Sequence, residues 1–143
     1  NACLAAVLLF LGACAAGPQL PAPVEEEVEQ PLPVDPPLTD TQAVTRAFRG
    51  EAQSLLNRGE VDKAVDVLER ALRIDQVDGE SWLMLAIVEY DRGDYLQAEQ
   101  KARKAAVLLP PHRLANAWHV VADALDQQGR TESASEIRRT WRL

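Results

Sequence analysis

The chain has 143 residues with 15 basic and 22 acidic side chains, a formal net charge of −7, and a length that argues for one folded core. The charge is unevenly spread. Residues 1–13 carry none, residues 15–40 carry six acids (Glu25, Glu26, Glu27, Glu29, Asp35, Asp40) and seven of the nine prolines without a Lys or Arg, and residues 41–143 hold the other 16 acids against all 15 bases. This excludes a chain basic enough to grip nucleic acid, an acidic globule and, with Cys3 and Cys14 as the only cysteines, a disulfide-stapled mini-protein.

From Ala2 to Ala16 the chain uses only Ala, Cys, Leu, Val, Phe and Gly. A helix needs about 20 apolar residues to span a bilayer, so this run has the length of a secretory signal's hydrophobic segment instead. The chain begins at Asn1, and a short basic start is expected to precede it. The run ends Leu11-Gly12-Ala13-Cys14, which resembles the lipobox of bacterial lipoproteins. That resemblance implies removal of residues 1–13 as a signal peptide, a diacylglycerol on the Cys14 thiol and acylation (palmitate) of the new amino terminus. Several acyl chains anchor stably where one is marginal. Ala15, standing where an Asp would retain such proteins at the inner membrane, implies an outer-membrane lipid anchor with the domain in the periplasm. The bland alternative is an uncleaved anchor or buried helix with an incidental Cys.

Residues 14–40 follow as the lipidated Cys and a disordered acidic, Pro-rich tether. Proline at this density denies both helix and sheet their amide hydrogens. An extended chain rising about 3.1 Å per residue gives residues 15–40 a reach of roughly 80 Å. The run Glu25 to Glu29 could be a docking peptide for a basic partner, but charge runs in linkers mostly solvate the chain.

Residues 41–143 repeat. Phe48, Ala52, Leu55, Gly59, Val61, Ala64 and Ala71 recur as Trp82, Ala86, Glu89, Gly93, Tyr95, Ala98 and Ala105, and again as Trp118, Ala122, Leu125, Gly129, Thr131, Ala134 and Trp141. The second step is two residues longer than the first, with the extra pair at Pro110-Pro111-His112. Aromatic and Ala four apart share a helix face. The glycines fall where a helix stops and reverses in the left-handed region, and Thr39 with Gln42 and Asp94 with Gln97 have capping-box spacing. Ala64, Ala98 and Ala134 allow a close crossing of the paired helices, and each aromatic is expected to be enclosed by neighbouring units. One helix pair cannot bury both of its faces, so the pairs must stack.

This pattern resembles the tetratricopeptide repeat, most closely at Trp82, Leu85, Ala86, Gly93, Tyr95, Ala98, Ala105 and Pro110. The resemblance implies an all-α fold, a right-handed superhelical array of three TPR helix-turn-helix repeats at about 45–78, 79–112 and 115–143, preceded by the lipoprotein signal peptide and linker. Departures are Glu89 for the favoured Tyr, with Tyr90 next door as a substitute, Gln76 for the closing Pro of the first repeat, and Trp141 for Ala. The last helix is expected to act as its own cap, apolar at Ala134, Ile137 and Trp141 and polar at Glu132, Ser135, Glu136, Arg139 and Arg142. A partly buried Trp141 leaves room for a weak homo-dimer or a partner contact.

Such arrays bind peptides or protein segments on the concave face made by the first helix of each repeat. Carried over, that face comprises Arg46, Arg49, Gln53, Leu56 and Asn57, then Glu80, Leu83, Ile87, Tyr90 and Asp91, then Asn116, His119, Asp123, Asp126 and Gln127, graded from basic through apolar to acidic. Leu83, Ile87 and Tyr90 form an i, i+4, i+7 stripe that reads slightly more as sandwiched core than as binding strip at Leu83, and equally as either at Ile87 and Tyr90. Met84 and Val120 stand where a carboxylate clamp would need polar residues, which argues against a receptor for chaperone tails.

His119, Asp123 and Asp126 lie along one helix face and raise an enzyme or small-ligand reading, but one His with two separated acids is more often a solvated face. Neither a Gly-x-Ser-x-Gly nor a phosphate loop nor a two-His metal motif occurs in the sequence, so no enzymatic activity and no cofactor or metal are expected. The expected role is a membrane-anchored periplasmic interaction module, a scaffold or adaptor that takes other envelope proteins and no nucleic acid. Two kinds of TPR lipoprotein are similar: pilotin-like assembly factors for a type IV pilus secretin and adaptors of peptidoglycan hydrolases.

Overall fold

The computed structural model describes residues 39–143; the predicted signal peptide, the lipidation site Cys14 and nearly all of the predicted tether lie outside them. Six α-helices follow in order: α1 Asp40–Asn57, α2 Val61–Ile74, α3 Gly79–Asp91, α4 Tyr95–Leu108, α5 Leu114–Gln127 and α6 Thr131–Trp141. A single 3-10 turn, Pro111–Arg113, takes up the two extra residues between the second and third repeats. Consecutive helices pack on one another, and α3 also touches α5, as an array of three helix hairpins requires. Among the described residues there is no strand, and no helix is long and apolar enough to cross a membrane.

Local chemistry sets the helix ends. Thr39 caps α1 in a complete box: the Gln42 amide donates to Thr39 Oγ1 at 3.3 Å and the Thr39 amide donates to Gln42 Oε1 at 3.1 Å. Before α4 only half a box forms, with the Gln97 amide donating to Asp94 Oδ1 at 3.3 Å. The Gln97 carbonyl oxygen instead accepts from Lys101 Nζ at 3.2 Å, one turn on. At the hairpin turns Gly59, Gly93 and Gly129 have φ of 76°, 82° and 77°, a region that glycine enters without a Cβ clash.

The core is continuous through the repeats, and α3 is what joins it. Leu85 packs with Ala52, Ala64 and Leu68 of the first hairpin, Ala86 with Ala102, Val121, Leu125 and Ala134, and Leu83 with Ala105, Leu109 and Ala117. With buried residues on most of its sides, α3 keeps Ile87 as its one strongly exposed aliphatic side chain. Ala52, Ala64, Ala86, Ala98, Ala122 and Ala134 have no exposed surface at all.

The aromatics depart from expectation. Phe48, Trp82 and Trp118 are half-buried at the margins of the core, because the alanine contacts leave no room for a large ring between the helices. Arg70 lies 4.9 Å from the Phe48 ring, Trp82 Nε1 donates to the Gln76 carbonyl at 3.0 Å, and Trp118 stacks on Trp141 at 5.1 Å with 16° between the planes. That stack leaves Trp141 38% exposed, while Ala134 is buried and Glu132, Ser135, Glu136, Arg139 and Arg142 face solvent. Tyr90 does not replace the missing Tyr of the second repeat; its ring meets Tyr95 edge-on at 5.4 Å. The vacant position, Glu89, instead pairs with Lys101 at 3.0 Å.

Among the described residues Glu99 of α4 is a buried carboxylate, its side chain only 8% exposed. It accepts from Arg103 Nε at 3.0 Å, Gln128 Nε2 at 3.0 Å and Arg130 Nη1 at 2.8 Å, tying α4 to the α5–α6 turn. Burial pushes its carboxyl pKa up, but the Gln128 and Arg103 hydrogen bonds and the charges of Arg103 and Arg130 outweigh that and hold it below the usual range.

Two predictions follow from this packing. Ala64→Leu overfills the fully buried Ala52–Ala64 contact and is expected to cost about 1–3 kcal/mol in urea unfolding. A depressed folded pKa gives stability that is complete above the unfolded value of about 4.3 and fades as the pH falls through the folded value. Glu99→Gln should therefore flatten the loss of thermal stability below about pH 4.3, read as melting temperature against pH.

Candidate functional site

The inner sides of α1 and α3 meet in a cleft of about 290 Å³. Gln53 and Leu56 come from α1, Val61 from the start of α2, and Met84, Ile87 and Asp91 from α3. The first hairpin turns at Gly59 and the chain re-enters at α3, so Gln53 and Leu56, three apart on α1, and Met84, Ile87 and Asp91, three and four apart on α3, line the gap. Ile87 is 42% exposed there, Leu56 and Met84 are half-buried, and Gln53 and Asp91 form a polar rim. Asp91 makes no ion pair among the described residues. Chemically this is an aliphatic slot with one carboxylate beside it, suited to an apolar side chain of a protein segment.

The predicted groove is thus only partly assembled. Gln53, Leu56 and Ile87 come together. Asn57 lies beside them, its Oδ1 accepting from Gln53 Nε2 at 3.0 Å. Leu83 does not belong to the groove: it is 4% exposed and packed against Ala105, Leu109 and Ala117, since α5 covers that side of α3. Tyr90 is turned to Tyr95. Asn116 and His119 are exposed on α5 but line neither this cleft nor the next one. Arg46 and Arg49 line a separate cleft at the other end of α1, with Asp78 and Pro110.

The expected charge gradient is also largely cancelled within the fold. Arg49 is bound to Asp78, the residue ahead of α3, whose Oδ2 also accepts from Ser81 Oγ at 2.6 Å. Glu80 pairs with Arg113 at 2.8 Å. Arg138 of α6 holds both Asp123 at 2.8 Å and Asp126 at 2.6 Å, and these carboxylates raise the Arg138 pKa further. Asp123 is therefore an α5–α6 strut. Among the described residues no cluster of three or more His, Cys, Asp or Glu is placed to hold a metal.

Val61 and Val88 line the cleft; the repeat pattern contains Val61 but does not assign it to the groove, and it does not contain Val88. Met84 was picked out as a residue that spoils a carboxylate clamp, and the same aliphatic character makes it a wall of the slot. Val61 carried a usable signal, the first helical residue after a hairpin glycine and so close to the end of α1.

A family model described as tetratricopeptide repeat matches residues 45–88. Among solved structures, the globular C-terminal domain of LpoP from P. aeruginosa is similar, with 29% sequence identity and a TM-score of 0.67 over 75% of this chain and 100% of that one. No curated protein matches the chain.

The reassignment of Leu83 can be measured. Leu83→Ala should lose about 2–5 kcal/mol of unfolding free energy through the cavity it leaves, and Ile87→Ala less than about 1 kcal/mol because half of that side chain is already in water. Equal losses in urea titrations would return Leu83 to the surface.

Proposed function

Because the chain contains tetratricopeptide repeats and is similar to the globular C-terminal domain of LpoP, we propose that it is a protein-interaction module of the bacterial cell envelope, held at the outer membrane by lipid on Cys14 with its repeats in the periplasm. The observation that carries the binding role is the α1–α3 cleft, where an exposed Ile87 stands between Leu56 and Met84 on the inner side of the repeats. An aliphatic side chain left 42% exposed beside other apolar walls gains most from being covered by another chain. The anchoring part rests on the Leu11-Gly12-Ala13-Cys14 sequence at the end of an apolar run. A binding role is favoured over a catalytic one because the acids nearest His119 in sequence, Asp123 and Asp126, are both engaged by Arg138.

The role is that of an adaptor, bringing one envelope protein to a membrane-tethered surface without changing it chemically. A photo-crosslinking residue at position 87 of the lipidated protein in intact envelopes should label a discrete partner, and the same residue at the exposed position 132 should not. Leu56→Glu should abolish that labelling while His119→Ala leaves it intact, and Cys14→Ser should move the protein from the membrane to the soluble fraction. Labelling that persists in Leu56→Glu or disappears in His119→Ala would refute the cleft as the binding surface.

A further inference from the structure

A second cleft, of about 560 Å³, opens between α2 and α4, the second helices of the first two repeats. Its floor is apolar: Leu72 and Leu85 are buried core residues, and between them and solvent lies the half-buried indole of Trp82. The bond from Trp82 Nε1 to the Gln76 carbonyl fixes the ring in place. Cations stand on both walls, Arg73 on α2 and Lys104 on α4, with Lys101 one turn before Lys104.

These two cations are unlike most of the others in the domain. Lys101 is matched by Glu89, Arg103 and Arg130 by Glu99, Arg113 by Glu80 and Arg138 by two aspartates. Arg73 and Lys104 form no ion pair among the described residues, and both line the cleft that Trp82 floors. The chemistry recognised here is carboxylate groups carried beside an apolar side chain. It is not that of a phosphate site, because Arg73 lies in the last turn of α2 and Lys104 well inside α4, so the two walls offer none of the free helix-start amides on which a phosphate pocket draws. Glu69, on the same wall as Arg73, further disfavours a dense polyanion.

We propose that this cleft is a second docking site, taking an acidic segment of a partner protein with an aliphatic or proline side chain seated on Trp82 and carboxylates meeting Arg73 and Lys104. It is built from the second helices of the repeats and does not depend on the α1–α3 cleft, so the module can hold two proteins at once.

The test uses the full chain and a fluorescein-labelled 12-residue peptide of glutamate alternating with proline and valine, followed by fluorescence anisotropy. The expected result is saturable binding that weakens as salt is raised. Affinity should fall at least about tenfold in Arg73→Glu/Lys104→Glu and stay unchanged in the charge-matched Arg139→Glu/Arg142→Glu. Arg73→Gln/Lys104→Gln, which removes the charges without introducing new ones, should shift the affinity in the same direction with an unaltered melting temperature. The proposal is overturned if the acidic peptide does not bind, if it binds Arg73→Glu/Lys104→Glu and Arg139→Glu/Arg142→Glu equally, or if a peptide with every Glu replaced by Gln binds as well. Phosphatidylglycerol vesicles that bind with the same dependence on Arg73 and Lys104, in the absence of peptide binding, would overturn it in favour of a lipid surface.

Discussion

A helix hairpin can bury one of its faces by itself, and in this domain the other face is dealt with at α3. Within four residues of that helix Leu83, Leu85 and Ala86 enter three different groups of buried side chains, one towards each neighbouring part of the array. Fully burying a leucine is worth about 1.5–3 kcal/mol, so removing any one of these neighbours would expose more apolar surface than a small domain tolerates. The repeats are therefore one cooperative body, and α3 is committed to the core nearly all round. What remains outside is the narrow strip at Ile87, and the α1–α3 cleft is built on it.

The alanine contacts inside the hairpins impose the next constraint. Ala52 against Ala64 and Ala122 with Ala134 bring backbones close enough to exclude a ring, so the aromatic that leads each repeat lies at the edge. Edge aromatics then become available for other uses. Trp118 is covered by the last helix through Trp141, Phe48 is covered by Arg70, and Trp82 floors the α2–α4 cleft. The same repeat position thus serves as an end seal in one unit and as a ligand surface in another, according to what the neighbouring helix supplies.

Charge in this domain acts mainly within the fold. Individual surface ion pairs contribute little, but the pairs Arg49–Asp78, Arg113–Glu80 and Arg138 with Asp123 and Asp126 each join separate elements of the array, a helix to a neighbouring helix or to the turn beside it, and so bear on how the helices stack. Glu99, with three donors and almost no solvent contact, does this from inside the core. Side chains used in this way present little net charge to a partner, which leaves Asp91 beside one cleft and Glu69, Arg73 and Lys104 beside the other without an ion pair among the described residues.

Much of the architecture was legible because its signals are local or strictly periodic. Gly59, Gly93 and Gly129 mark turns whose backbone only glycine enters cheaply, Thr39 with Gln42 fixes a helix start within four residues, and Ala64, Ala98 and Ala134 return at matching places in every repeat. The sequence by itself determined three helix hairpins, their turns and their small-residue contacts. Only the tertiary structure decided which face of each first helix stays open. Leu83 and Ile87 have the same spacing and chemistry, and it is α5, through Ala117, that covers one of them. Asp123 and Arg138 lie 15 residues apart, and their pairing depends on how α6 folds back on α5, which no local pattern encodes. A helical period specifies a face; what covers that face is a property of the neighbours, and the neighbours are fixed by packing the whole array at once.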